Sequence, residues 1–219
     1  MRTLLSLFCS VLAAYAALSS PIRDNSAARN LDYISDSEIV PIAYLESTGE
    51  QYINTGFLVV PFLSIEIDAQ LMSPIVPNFG GRGASWNTMH CFASSGGNYG
   101  YGIGGKVYTF ADFDPTERFT LVYNARSALL TIDGFEPQSI NWNFSSTSID
   151  YTLFGYNLNG TVTCSNWRIY SFKCYNYRTG KSLNLIPVRV GSVGFMLDQV
   201  SGTLFGNMGY GDFILGPDL

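Results

Sequence analysis

Charge is scarce in this chain. Asp, Glu, Lys and Arg make up 13% of its 219 residues, and the formal net charge is −5. Lysine occurs only at Lys106, Lys173 and Lys181, and the arginines are scattered. Without a basic patch carrying interleaved aromatics, the sequence argues against a nucleic-acid partner. Histidine occurs once, at His90, so a histidine-based zinc cluster is excluded by count. His90 and Cys91 do not pair as base and nucleophile either, because strand neighbours face opposite ways. Cysteine is equally sparse: Cys9 falls in the leader read below, and Cys91, Cys164 and Cys174 remain. Cys164 and Cys174 lie on what reads as one continuous strand, which at ~3.3 Å per residue sets them about 33 Å apart. Any disulfide would therefore involve Cys91, and buried free thiols are the plainer expectation. After the leader there is no helix-period stretch of useful length and no apolar run long enough to anchor the chain in a bilayer.

Several positive signals stand against these absences. Arg2, the apolar run Leu4 to Leu12 and Ala14-Tyr15-Ala16 read as a secretory signal peptide over residues 1–19. The expected location is outside the cell or on its surface. Residues 20–41 are rich in Ser, Asp, Asn and Arg and read as a linker or loose arm. What remains is roughly 180 residues, the size of one domain and enough to bury a core without staples. The 22 glycines show no collagen period and act as strand punctuation.

From Pro41 apolar positions alternate, and turn residues recur every eight to twelve positions, the mark of a sandwich or barrel. Phe62 to Met72 predicts a long strand, with Ile65, Ile67, Ala69 and Leu71 on one face and Glu66, Asp68 and Gln70 on the other. Phe79–Gly83, Thr88–Ala93, Tyr99–Ile103, Lys106–Phe110, Phe119–Asn124, Ala128–Ile132 and Tyr151–Tyr156 predict further strands. Cys164 to Tyr175 reads as a long strand, apolar on both faces. Asp133-Gly134 is the strongest turn signal and predicts a type I′ hairpin.

Two sets of residues carry a resemblance to a known family. Tyr44-Leu45-Glu46-Ser47-Thr48-Gly49 with Gln51-Tyr52-Ile53-Asn54-Thr55-Gly56 resembles the opening of LamG-like jelly-roll domains of bacterial and phage proteins. Arg168-Ile169-Tyr170-Ser171-Phe172-Lys173, Ile186-Pro187-Val188-Arg189 and Gly211-Asp212-Phe213-Ile214-Leu215-Gly216-Pro217 resemble their closing part, and Leu130-Thr131-Ile132-Asp133-Gly134 fits the middle. The resemblance spans residues 42–217. It implies an all-β, two-sheet antiparallel jelly-roll sandwich of the concanavalin A-like lectin and glucanase superfamily, with the Tyr44–Phe57 region beside the C-terminal strand. That superfamily includes sugar binders, glycosidases and adhesion modules, so fold does not settle activity.

The same resemblance raises catalysis and calcium. Glu66-Ile67-Asp68-Ala69-Gln70 looks like the catalytic strand of the superfamily's retaining glucanases, which carry Glu, Asp and Glu at alternate positions. Retention needs a nucleophile and an acid/base about 5–5.5 Å apart. Gln70 stands at the third position, and an amide cannot cycle a proton, so the expectation is no enzyme. Some members of the superfamily bind calcium. Asp112-Phe113-Asp114 offers two carboxylates against the six to eight oxygens calcium takes, and two Asp residues near a turn are more often an acidic loop with Asx bonding. No cofactor is expected.

Secreted β-sandwiches hold sugars on aromatic faces beside Asn, Asp and Gln. Tyr99 and Tyr101 share a strand face opposite Gly100 and Gly102, which predicts tyrosines in the core and a glycine-lined outer face open to a flat ligand. Trp86 with Asn87, in the loop-like Gly83–Asn87 segment, and Trp142 with Asn143 are the candidate ligand-binding residues. Trp167 reads as core. The expected function is a secreted, non-catalytic, carbohydrate-binding recognition module. The alternative is a structural or adhesive sandwich that joins proteins at a cell or particle surface.

Overall fold

The computed structural model describes residues 38–74, 78–141 and 144–219. The expected leader, most of the expected arm, and Trp142 and Asn143 lie outside the described residues.

In chain order the first strands are β1 (Ile39–Pro41), β2 (Leu45–Glu46), β3 (Ile53–Leu58), β4 (Leu63–Leu71) and β5 (Phe79–Arg82). A short 3-10 turn, Trp86–Thr88, precedes β6 (His90–Ser95), β7 (Asn98–Ile103), β8 (Lys106–Thr109), β9 (Phe119–Asn124) and β10 (Leu129–Ile132). Then come β11 (Gln138–Ser139), β12 (Asp150–Leu153), β13 (Gly155–Leu158), β14 (Thr161–Cys164) and β15 (Trp167–Asn176). The last strands are β16 (Lys181–Val190), β17 (Val193–Asp198), β18 (Leu204–Phe205) and β19 (Ile214–Leu215).

These strands form an all-β fold with two main sheets. The large sheet runs β11-β10-β9-β4-β15-β16-β17-β18, with β1 added on β16 and β2 bridging β15 to β19. The second runs β14-β13-β5-β6-β7-β8, and β12-β3 forms a small ribbon. Pairing is antiparallel except between β13 and β5, which are parallel. The β4–β15 ladder sets Trp167 opposite Leu71 and Asn176 opposite Leu63, with a register shift at Tyr170. β1 pairs with Val188–Val190, so the sheet begins ahead of residue 42.

Period-two alternation decides what is buried. β4 alternates without a break, its odd-numbered residues buried and its even-numbered ones half-exposed. Its inner row joins Phe119, Leu121, Trp167 and Phe172 from the large sheet with Phe79, Phe92, Tyr101 and Ile103 from the second in one core. Trp167 is fully buried, with ring contacts to Phe79 at 5.0 Å and Phe92 at 4.9 Å across the sandwich. The β15 segment departs from expectation twice. Ser165 and Asn166 separate it from β14, so Cys164 and Cys174 lie on different strands in different sheets. Its outer face is also polar, carrying Arg168, Ser171 and Lys173 beside Tyr175. Cys91, Cys164 and Cys174 are free thiols.

The Tyr151–Tyr156 segment likewise splits at Phe154, whose φ of 60° sits in a region L side chains seldom adopt. That kink sends β12 to pair with β3 and β13 to the second sheet. Asp133-Gly134 is not a type I′ turn, because only Gly134 has positive φ. Asp133 is held by its register instead: its Oδ2 accepts from Thr120 N at 3.1 Å, and its own N–H donates to Thr120 O. Gly96-Gly97, Gly104-Gly105 and Asn159-Gly160 have positive φ at both central positions, as two-residue hairpins require.

The opening and closing segments meet, as expected. Ile214 pairs with Glu46 and Leu215 with Leu45. Arg168 donates to Glu46 Oε2 from Nε at 2.8 Å and Nη2 at 2.6 Å, and its guanidinium lies 4.0 Å from the Tyr44 ring centroid. Buried Gln51 is the second tie. Its Oε1 accepts from Thr48 N at 2.8 Å and from the Ser47 hydroxyl, while its Nε2 donates to Tyr210 O at 2.8 Å. Replacing Gln51 with Ala leaves Tyr210 O and Thr48 N without these partners, at a cost of about 1–3 kcal/mol. The expected result in urea is a lower unfolding midpoint with an unchanged slope.

Candidate functional site

Of the sequence-predicted ligand residues, Trp86 and Asn87 are in the described structure. Trp86 is 63% exposed in the 3-10 turn, and the Arg82 guanidinium lies 3.8 Å from its ring centroid. Asn87 is tied to the neighbouring loop, donating from Nδ2 to Ser145 Oγ at 3.1 Å and accepting from Ser145 N at 2.9 Å. The Arg82 Nε and Nη1 atoms are buried with no hydrogen-bond partner. One face of the Trp86 ring is thus occupied by a cation of the protein itself.

The glycine face is not open. On the outside of the second sheet, Tyr156, Gly80, Cys91, Gly102 and Val107 follow one another in register. A Cβ on Gly102 would meet the Met89 side chain at 2.6 Å, so Met89 already lies over the row. Gly100 admits no side chain, because its Cβ would collide with Tyr108 O. Met89, Cys91 and Ala93 form a small buried cluster packed by Val107 and Tyr156. Tyr101 is fully buried in the core, as expected, and Tyr99 packs against it partly buried.

The carboxylates of β4 sit on the outer face of the large sheet, each beside a cation. Glu66 Oε1 accepts from Lys173 Nζ at 2.7 Å, and Asp68 takes a two-pronged pair from Arg118 at 2.9 and 2.6 Å. The Gln70 amide donates to Thr116 O at 2.8 Å and accepts from the Tyr170 hydroxyl at 3.1 Å. In the Asp112–Asp114 loop, Asp114 Oδ1 accepts from Thr116 N and Oγ1, and those bonds hold its carboxyl below the usual range. Among the described residues no three His, Cys, Asp or Glu side chains gather as a metal site.

The outer face of the large sheet carries the feature that sequence reasoning missed. Register places Ser64, Tyr175 and Ser182 in one row across β4, β15 and β16, with Asn124 of β9 one position beyond the Ile65–Tyr123 pair. The next row holds Val122, Glu66, Lys173 and Asn184. Along these rows runs a trough made of two hollows of about 600 and 350 Å³ that share Ser64, Asn124 and Tyr175. Arg126 and Tyr177 line only the first hollow, and Val200 only the second. Tyr175 is 46% exposed, with Ser64 and Ser182 as its register neighbours. The available signal was the alternation of Lys173 and Tyr175 against buried Phe172 and Cys174, which the apolar look of the whole segment concealed.

His90 is fully buried and takes no part in either surface. Its Nε2 lies 3.0 Å from Leu63 O, an acceptor only, so Nε2 carries the proton and Nδ1 accepts from the Tyr101 hydroxyl at 2.6 Å. Tyr151 OH, 2.8 Å from Tyr101 OH, completes the chain. Burial lowers the His90 pKa to about 4, against a smaller opposing effect of the Leu63 bond. Burial also pushes the Cys91 thiol up to about 12, so it is a poor nucleophile.

Comparison with family models, with curated proteins and with solved structures finds no match to this chain.

The His90 environment makes stability sensitive to acid. Between 6.5 and about 4 the unfolded chain binds a proton that the fold refuses, so stability falls as pH drops through that window. The maximum slope is about 1.4 kcal/mol per pH unit. Urea midpoints measured from pH 7 to 4.5 should decline in the wild type and decline less in His90→Gln.

Proposed function

We propose that this protein is a secreted or cell-surface carbohydrate-recognition module of the LamG-like jelly-roll type, and that it binds a glycan in the Tyr175 trough without cleaving it. The observation that carries the reading is the half-exposed Tyr175 flanked in register by Ser64 and Ser182, with Asn124 lining the same hollows. An aromatic face packs against the C–H face of a pyranose, and hydroxyls and amides on either side bond its hydroxyl groups. Two-sheet architecture and the meeting of the opening and closing motifs support the family reading. Engagement of Glu66 and Asp68 by Lys173 and Arg118, with an amide at position 70, supports the absence of hydrolysis.

A glycan array probed with the protein should return a bound class. Tyr175→Ala should then weaken binding by ~1–3 kcal/mol, by analogy with loss of an aromatic stacking platform. Trp86→Ala and Trp142→Ala, run in parallel, locate the site. A loss confined to either tryptophan would move it from the trough to the loops first expected from sequence. No binding across a broad array, together with specific capture of one surface protein, would favour the adhesive alternative. Incubation with β-glucans, galactans and host glycans should give no turnover. Hydrolysis abolished by Glu66→Gln would overturn the non-catalytic reading.

A further inference from the structure

We infer that the saccharide held in the trough is anionic, bearing carboxylate or sulfate groups that face one basic end of the site; this rests on the glycan reading above. The chain as a whole is acidic, with a net charge of −5. The Tyr175 end of the trough departs from that average. Arg126 stands in the turn between β9 and β10 and lines the hollow with Tyr175 and Tyr177. Arg178 stands in the adjacent turn between β15 and β16. Its guanidinium lies 5.1 Å from the Phe62 ring, which meets Tyr177 edge-on at 5.3 Å. Lys181 opens β16 opposite Asn176, in the row of buried Leu63 and so on the other face of the sheet from Tyr175.

Both arginines are held by the same device. Asn124 Oδ1 accepts from Arg126 N at 3.0 Å and Ser127 N at 3.1 Å. Asn176 Oδ1 accepts from Arg178 N at 3.1 Å and Thr179 N at 3.2 Å. Each strand thus ends in an Asn that caps a turn and fixes the backbone of an Arg two residues on. The local carboxylates do not neutralise this end. Glu66 is paired with Lys173. Asp198 is buried, and its oxygens accept from Asn184 N, Val200 N, Ser201 N and the Ser201 hydroxyl. Arg126 and Arg178 belong to none of the four ion pairs among the described residues. Two arginines at one end of an aromatic platform match the negative groups of an acidic sugar chain, and arginine forks suit carboxylate and sulfate oxygens.

The test uses the full chain and three polysaccharides: polygalacturonate for carboxylate, dextran sulfate for sulfate, and dextran as the neutral probe. Binding is read by calorimetry at two salt concentrations. The expected result is binding of one acidic probe over dextran, weakened by salt. Arg126→Ala and Arg178→Ala should each lower the affinity by up to about fivefold. Lys106→Ala, on the other sheet, removes a charge outside the trough and should have no effect. Whichever acidic probe binds identifies the anionic group. Equal binding of dextran, lost in Tyr175→Ala but not in the arginine variants, overturns the charge inference and leaves the trough standing. A loss in Lys106→Ala as large as in Arg126→Ala means diffuse attraction and also overturns it. If no probe binds and the array is blank, the glycan reading itself has failed.

Discussion

Everything in this molecule hangs on the antiparallel contact between β4 and β15. The two strands run side by side from Leu63 opposite Asn176 to Leu71 opposite Trp167. Because side chains alternate across a strand, this one pairing sorts two populations at once. Ile65, Ile67, Phe172 and Trp167 go inward, where they meet the rings of the second sheet. Ser64, Glu66, Lys173 and Tyr175 go outward and become the floor of the trough. A slip of one residue would drive Lys173 and Glu66 into the core and expose Trp167, so burial itself pins the register of the candidate site.

The core explains why the remaining surface is free to specialise. Phe79, Phe92, Phe119 and Trp167 contact one another edge-on or offset across the sandwich. Such large rings fill the space between sheets without a disulfide, which accords with three free cysteines. His90 is absorbed into the same interior. The lone histidine, which a search for chemistry would single out first, is a neutral hydrogen-bonding wedge between Leu63 and Tyr101.

The sequence was a good guide wherever alternation was clean. β4, with its unbroken period of two, and β9 were legible almost to the residue. So was the joining of the chain's two ends, because the Tyr44–Gly56 and Gly211–Pro217 motifs are distinctive strings. Legibility failed where tertiary contacts override local signals. Nothing in Tyr151–Tyr156 announces that Phe154 adopts positive φ and redirects the strand. Asp133-Gly134 carries the strongest hairpin signature, yet the Asp133 bonds to Thr120 select another turn. The trough was hidden for a different reason. It is a cross-strand object, assembled from Asn124, Ser64, Tyr175 and Ser182, residues more than a hundred positions apart at the extremes, and tyrosine is equally at home in a core.

The stitching of the two ends has a temporal side. Gln51 reaches Tyr210 across 159 positions, and Arg168 reaches Glu46 across 122. β2 therefore has neither of its strand partners until β15 and β19 have been synthesised. Contacts of such high sequence separation make folding slow, since loop closure must precede any gain from pairing. During synthesis the first strands must wait with unpaired edges for the last. Arrival of β15 and β19, rather than emergence of the hydrophobic middle, is the event that locks the domain.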